Sequence, residues 1–159
     1  MDMRELRNEF TRLTGHEFSE HPIPKKPKIG HKYRLTSRDG KISRSFIYLE
    51  SIFDDINNEY IHVLAKVSVE AQFATPWDIL IADGALIVEV WNTIKIKQLE
   101  GVMVGLLNDT ETRALGERYI DWISGENNPN EFVGDENPSD PLIAEFHRYE
   151  LNEANRFVE

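Results

Sequence analysis

The sequence predicts a mostly β protein with flanking helices, an α+β fold. Runs rich in β-branched and aromatic residues alternate with turn signals between residues 29 and 107, which is typical of several short strands in one sheet. Asp-Gly pairs occur at residues 39–40 and 83–84, where they favour tight hairpins with positive φ at the central residues. Helical patterns flank this region on both sides.

The strand patterns are strongest where apolar and more polar residues alternate. In the longest pattern, Ile61, Val63, Ala65, Val67 and Val69 share one face. Five or six short strands with tight turns predict a small, SH3-like barrel, closed or half-open. The predicted strands cover residues 31–36, 45–49, 60–69, 77–81, 85–96 and 101–107.

The chain divides into three predicted parts. Residues 1–28 combine a short helix, with an apolar face of Met3, Leu6, Phe10 and Leu13, and a proline-containing connector. Residues 29–125 hold the barrel and a helix after its last strand. Residues 126–159 hold an acidic loop and a last helix that begins at Asp140-Pro141, with an apolar face of Leu142, Phe146 and Tyr149.

Composition excludes several classes of protein. The 159 residues include no cysteine, which excludes disulfides, thiol nucleophiles and cysteine-bound zinc and agrees with a reducing compartment. The start of the chain has no apolar run of signal-peptide type, and the most apolar stretches are too short to span a bilayer. We therefore expect a cytoplasmic protein.

The charge distribution is uneven. The net charge is −10, yet residues 25–48 carry eight basic residues and only Asp39 as an acid, a local charge of +7. Such a segment can bind phosphate groups. Alternatively, it can face the acidic C-terminal part of the same molecule or a second copy.

Motifs for metal or cofactor chemistry are missing from the sequence. The histidines do not form a two-histidine metal motif. The Gly101–Gly105 segment lacks the Lys-Ser/Thr of a phosphate loop, and no serine lies in a Gly-x-Ser-x-Gly frame. We therefore expect neither a metal nor a cofactor.

Three segments carry a resemblance to a known family. They are Arg44-Ser45 with the apolar residues 46–49, Lys66-Val67-Ser68-Val69, and residues 91–99 followed by 104–108. Their order resembles the PemK/MazF-type toxins, endoribonucleases with an SH3-like barrel. Ser45 stands where that family has proline, and Ser68 stands where it usually has threonine.

The resemblance implies metal-free cleavage of single-stranded RNA. Arg44 would stabilise the charge of the transition state and Ser68 would hydrogen-bond the same phosphate, which makes them the implied catalytic pair. Arg44 also suits a strand-edge ion pair with a carboxylate, Ser68 suits an ordinary polar strand position, and Trp77 suits a core anchor. The implied RNA-binding residues are Lys32, Arg34, Arg38, Lys41 and Trp77.

A second interpretation is a non-catalytic β-barrel interaction module that binds a protein partner. The acidic residues 126–159 would then cover the basic face, and the net charge of −10 favours this arrangement. The partners expected under the two interpretations are RNA, an antitoxin-like protein and a second copy of the chain.

Overall fold

The computed structural model describes residues 2–6, 9, 26–125 and 141–158. Residues 3–6 are helical, whereas Phe10, Leu13, most of the predicted connector and the predicted loop at 126–139 lie outside the described residues. The strands are β1 (His31–Thr36), β2 (Ser43–Asp54), β3 (Glu59–Ser68), β4 (Asp78–Ile81), β5 (Leu86–Ile96) and β6 (Val102–Leu106). The helices are α1 (Asp109–Ser124) and α2 (Pro141–Ala154), and 3-10 turns form at Ala71–Phe73 and Asn155–Phe157.

The six strands form one antiparallel sheet in the order β4-β5-β3-β2-β1-β6. The predicted α+β class, with five to six strands and a helix after the last one, is confirmed. Three register shifts bend the sheet: two skip a single residue, Val104 and Leu49, and the third skips residues 90–92 of β5. They lie at Lys32/Tyr33, Tyr48/Glu50 and Ala65/Lys66.

Of the two predicted forms, the closed barrel is not formed by the described residues, because the sheet stays open between β4 and β6. A closed barrel would need hydrogen bonds between these edge strands, but each pairs with a single neighbour. After the four residues of β4, the Ala82 amide donates to Glu111 Oε2 of α1 at 3.2 Å. A cavity of about 360 Å³ lies between the two edges, bordered by Ile81 and Val104.

The hairpin turns follow their sequence signals in different ways. Ala82, Asp83 and Gly84 all adopt positive φ, at 52°, 55° and 85°. The loop between Ile81 and Leu86 has four residues, two more than the tight Asp-Gly hairpin of the sequence pattern. In the turn with Asp39-Gly40, only Gly40 adopts positive φ, at 74°. There, Asp39 Oδ1 accepts hydrogen bonds from Ser37 Oγ at 2.6 Å and from the Lys41 amide at 3.0 Å, so the side chain of Asp39 stabilises the turn.

Both faces of the sheet are buried, each against different helical segments. One face packs on α1 through a cluster that includes Ile47, Val88, Leu115 and Trp122. The other packs on the C-terminal segment through Tyr33, Phe46, Leu64 and Phe157. Because the central strands are covered on both sides, the polar residues Lys66 and Ser68 of β3 are buried as well as its apolar ones.

Helix α1 begins at a capping box. The Asn108 side chain accepts from the Glu111 amide at 2.7 Å, and the Glu111 side chain accepts from the Asn108 amide at 3.1 Å. Leu115, Tyr119 and Trp122 are buried on the sheet.

Helix α2 packs through a different face from the predicted one. Leu142 and Tyr149 are exposed, at 70% and 61%, although both belong to the predicted apolar face, and only Phe146 of that face is buried. The polar part of the buried face consists of His147, Glu150 and Glu153. The sheet carries Lys66 and Arg44 beneath this helix, so the carboxylates turn inward to pair with these cations.

Candidate functional site

The candidate site is a cavity of about 440 Å³ where β1, β2 and β3 meet α2; we call it the Arg44 cavity. The hairpin of β2 and β3 pairs Phe46 with Lys66. Arg44 lies two residues before Phe46 in β2, and Ser68 lies two residues after Lys66 in β3. Because side chains alternate along a strand, Arg44 and Ser68 lie on the same face of the sheet as Phe46 and Lys66. The cavity is lined by Lys32, Arg34, Ser43, Arg44, Ser45, Lys66, Val67, Ser68, Val69, Glu70, Leu86, Tyr149, Glu150 and Glu153.

Arg44 is held in place by α2 and by its own strand. Its Nε donates to Glu153 Oε1 at 2.6 Å and its Nη2 to Glu153 Oε2 at 3.4 Å, while Nη1 donates to the Ser43 carbonyl at 2.8 Å. The hydrogen bond that Arg44 donates to Glu153 raises the pKa of Arg44. A guanidinium has five N–H groups, and these bonds use three of them. The side chain is 39% exposed, so the remaining N–H groups can meet a ligand.

Ser68 is buried at the inner wall of the Arg44 cavity. Its Oγ accepts a hydrogen bond from the Glu70 amide at 3.1 Å, which fixes the position of the oxygen. The hydroxyl hydrogen is not used in that bond and is therefore available to donate. Ser68 thus complements Arg44, because both can donate to one anionic group.

The predicted RNA-binding residues divide into two sets. Lys32 and Arg34 line the Arg44 cavity from β1. Arg38 lies in the first hairpin turn, donates to the Val158 carbonyl at 3.4 Å and borders a separate cavity. Lys41 is exposed in the same turn.

Trp77, the remaining predicted RNA-binding residue, is not at the cavity. It packs edge-on against Trp122 with 5.1 Å between ring centroids, so it belongs to the core beside α1.

A buried charge cluster forms the floor of the cavity, and the sequence analysis missed it. Lys66 Nζ lies 2.8 Å from Glu150 Oε2 and 3.2 Å from Glu153 Oε1, with the lysine only 2% exposed. Burial alone would lower the pKa of Lys66, but the negative charge of Glu150 raises it. Burial alone would raise the pKa of Glu153. The hydrogen bond from Arg44 opposes this effect, and the pKa of Glu153 is lowered. Lys66, Arg44 and Glu153 therefore stay ionised.

One signal for this cluster was present in the sequence. Lys66 and Glu89 each stand in the middle of an apolar strand pattern, and charged residues are seldom buried unless they are paired. They are cross-strand partners in β3 and β5. The signal indicates a buried pair, although it does not indicate that α2 supplies the other carboxylates.

The described residues, with their gaps at the N-terminus and at 126–140, contain no group of three or more His, Cys, Asp or Glu side chains placed to hold a metal ion. In the same ranges, no helix is long and apolar enough to cross a membrane. The chain matches no protein-family model, no curated protein and no solved structure.

Proposed function

We propose that this chain is a PemK/MazF toxin-like protein that binds single-stranded RNA in the Arg44 cavity and cleaves it without a metal ion. The observation that carries the proposal is the shared position of Arg44 and Ser68. The resemblance selects these residues from separate segments, and both line one cavity. Residues on opposite faces of the sheet could not act on the same phosphate.

The chemistry of this cleavage suits the donors of the cavity. The ribose 2′-oxygen attacks the adjacent phosphorus and loses its proton, and the bond to the 5′-oxygen breaks as that oxygen gains a proton. The products are a 2′,3′-cyclic phosphate and a 5′-hydroxyl. Negative charge grows on the non-bridging oxygens, where the free N–H groups of Arg44 and the O–H of Ser68 would donate.

The basic residues at the cavity rim would bind the neighbouring phosphates. Lys32 and Arg34 line the same cavity from β1, and Arg34 is exposed. Tyr149 is 61% exposed beside Arg44, and its hydroxyl hydrogen-bonds to Glu153. Such an ordered aromatic ring can stack on an unpaired base, which favours a single-stranded substrate.

The second candidate is a non-catalytic interaction module that binds a protein partner, and a specific observation favours it. Glu153 already engages Arg44 through two hydrogen bonds, and α2 covers part of the basic face, as the acidic tail does in this interpretation. Under it, Arg44 and Lys66 hold α2 in place and have no role in chemistry.

An RNA cleavage assay in EDTA separates the two candidates. Labelled single-stranded RNA is incubated with the wild-type chain and with Arg44→Ala, Arg44→Lys and Ser68→Ala. We expect 2′,3′-cyclic phosphate ends from the wild type and a loss of about 100-fold or more in rate for Arg44→Ala. Arg44→Lys keeps the charge opposite Glu153 but loses the planar fork, so its rate should also fall.

The matched control is Arg113→Ala, which removes an exposed arginine of α1 outside the cavity. Its cleavage rate should equal that of the wild type. Cleavage that is unchanged in Arg44→Lys and Ser68→Ala, or a wild-type chain that cuts no RNA, would refute the ribonuclease proposal and favour the interaction module.

A further inference from the structure

The charge cluster beneath α2 contains more carboxyl groups than cations. Glu89 is fully buried at 0% exposure, Lys66 and Glu150 are each 2% exposed, and Glu153 is 8% exposed. Together with Arg44, this makes two cations and three carboxyl groups. If every group were ionised, one uncompensated negative charge would be buried, which is costly in a protein interior.

Two oxygens of this cluster show where a proton can sit. Among the described residues, no N–H or O–H donor reaches Glu89 Oε2 or Glu150 Oε1, and both atoms are buried. Lys66 brings the two residues together, because it is the cross-strand partner of Glu89 and its Nζ lies 2.8 Å from Glu150 Oε2. Asn92 Nδ2 links the same residues from the side, because it lies 3.2 Å from Glu89 Oε1 and 3.0 Å from the Glu150 carbonyl.

We infer that Glu89 keeps its proton at neutral pH and donates a hydrogen bond to Glu150 Oε1. This carboxyl–carboxylate hydrogen bond joins β5 to α2. This proton satisfies both buried oxygens at once. It also leaves two cations opposite two carboxylates, Glu150 and Glu153, so the cluster is neutral.

The surroundings of Glu89 support this state. Burial raises the pKa of Glu89 well above its ordinary value and the charge of Glu150 raises it further, while Lys66 opposes the shift. The charged and titratable groups that surround this pair from the packed elements are Arg44 of β2, Lys66 of β3, Asp78 of β4, and His147, Glu150 and Glu153 of α2.

The shared proton makes the docking of α2 dependent on pH. When Glu89 ionises, two adjacent carboxylates repel each other between β5 and α2. Glu153 lies on that helix and holds Arg44, so loosening α2 would release Arg44 into the cavity. This proton link between β5 and α2 does not depend on RNA cleavage.

The direct test is carbon-13 NMR of the folded wild-type chain labelled at glutamate Cδ. We expect the Glu89 carboxyl to be protonated at pH 7, because burial raises its pKa well above the ordinary value. A Glu89 signal at the carboxylate position at that pH would overturn the inference. Glu89→Gln identifies the signal and retains a donor towards Glu150.

Unfolding at different pH values gives a second readout. A raised pKa in the folded state means that stability is lost as pH rises above the unfolded value of Glu89. The unfolding equilibrium constant of the wild type relative to Glu89→Gln should therefore increase as pH rises above about 4.5, by at most about tenfold per pH unit. The matched control is Glu117→Gln, which makes the same substitution at an exposed glutamate of α1. If the ratio of the unfolding equilibrium constants of the wild type and Glu89→Gln does not change with pH, the shared proton is contradicted.

Discussion

His147 makes the protein sensitive to acid, and the size of this effect follows from its burial. The imidazole is 1% exposed on α2 and lies against Trp91, with 4.1 Å between ring centroids. Burial lowers the pKa of His147 from 6.5 to about 4. Below pH 6.5 the unfolded chain binds a proton that the folded chain does not, so stability falls with pH until the folded state is protonated as well.

The magnitude follows from these two pKa values. One proton bound with pKa 6.5 in the unfolded state and about 4 in the folded state lowers the free energy of unfolding by about 2 kcal/mol between about pH 8 and pH 5. His147→Phe keeps an aromatic ring beside Trp91 and cannot titrate.

Urea unfolding followed by tryptophan fluorescence measures this effect at the two pH values. The wild type should lose about 2 kcal/mol more than His147→Phe between about pH 8 and pH 5. Other titrating groups, Glu89 included, are present in both proteins and cancel in this comparison. A difference between the two proteins that stays constant with pH would refute the assignment of a buried, neutral His147.

Two further substitutions test the cluster and the cap. Lys66→Met should destabilise the fold by about 3–5 kcal/mol, because it leaves buried carboxylates without their cation. Lys97→Met, which breaks the exposed pair with Glu59, should lower the free energy of unfolding by under about 1 kcal/mol. Equal losses for Lys66→Met and Lys97→Met in urea unfolding would contradict the buried cluster. Asn108→Ala should cost about 1 kcal/mol through loss of the α1 cap, and Asn108→Ser should restore most of it; an unchanged unfolding midpoint for Asn108→Ala would count against the cap.

Local patterns predicted the strands and turns well. The alternation in the third strand and the Asp83-Gly84 pair correspond to β3 and to the hairpin of β4 and β5, because side-chain alternation and turn geometry depend on neighbouring residues. The joint position of Arg44 and Ser68 follows from the register of one hairpin. The sequence patterns did not decide between a closed and a half-open barrel, because they do not report whether β4 and β6 pair; in the described residues these two strands do not pair.

The buried face of α2 depends on residues far away in the sequence. Its apolar pattern predicts Leu142 and Tyr149 inside, but Lys66 and Arg44 of the sheet draw Glu150 and Glu153 inward instead. Helical periodicity reports which residues are apolar and carries no information about the charges on the surface that the helix meets. Lys66 therefore decides the orientation of a helix about 80 residues later in the chain.

An NMR titration of the labelled chain with a short single-stranded RNA that carries 2′-O-methyl groups, and so cannot be cleaved, tests the RNA site most directly. The proposed function predicts salt-dependent shifts of the amides around Arg44, Ser68 and Arg34, while the amides around Arg113 of α1 remain unchanged. Shifts confined to residues outside the Arg44 cavity, or no shifts at low salt, would contradict the proposal that this cavity binds RNA.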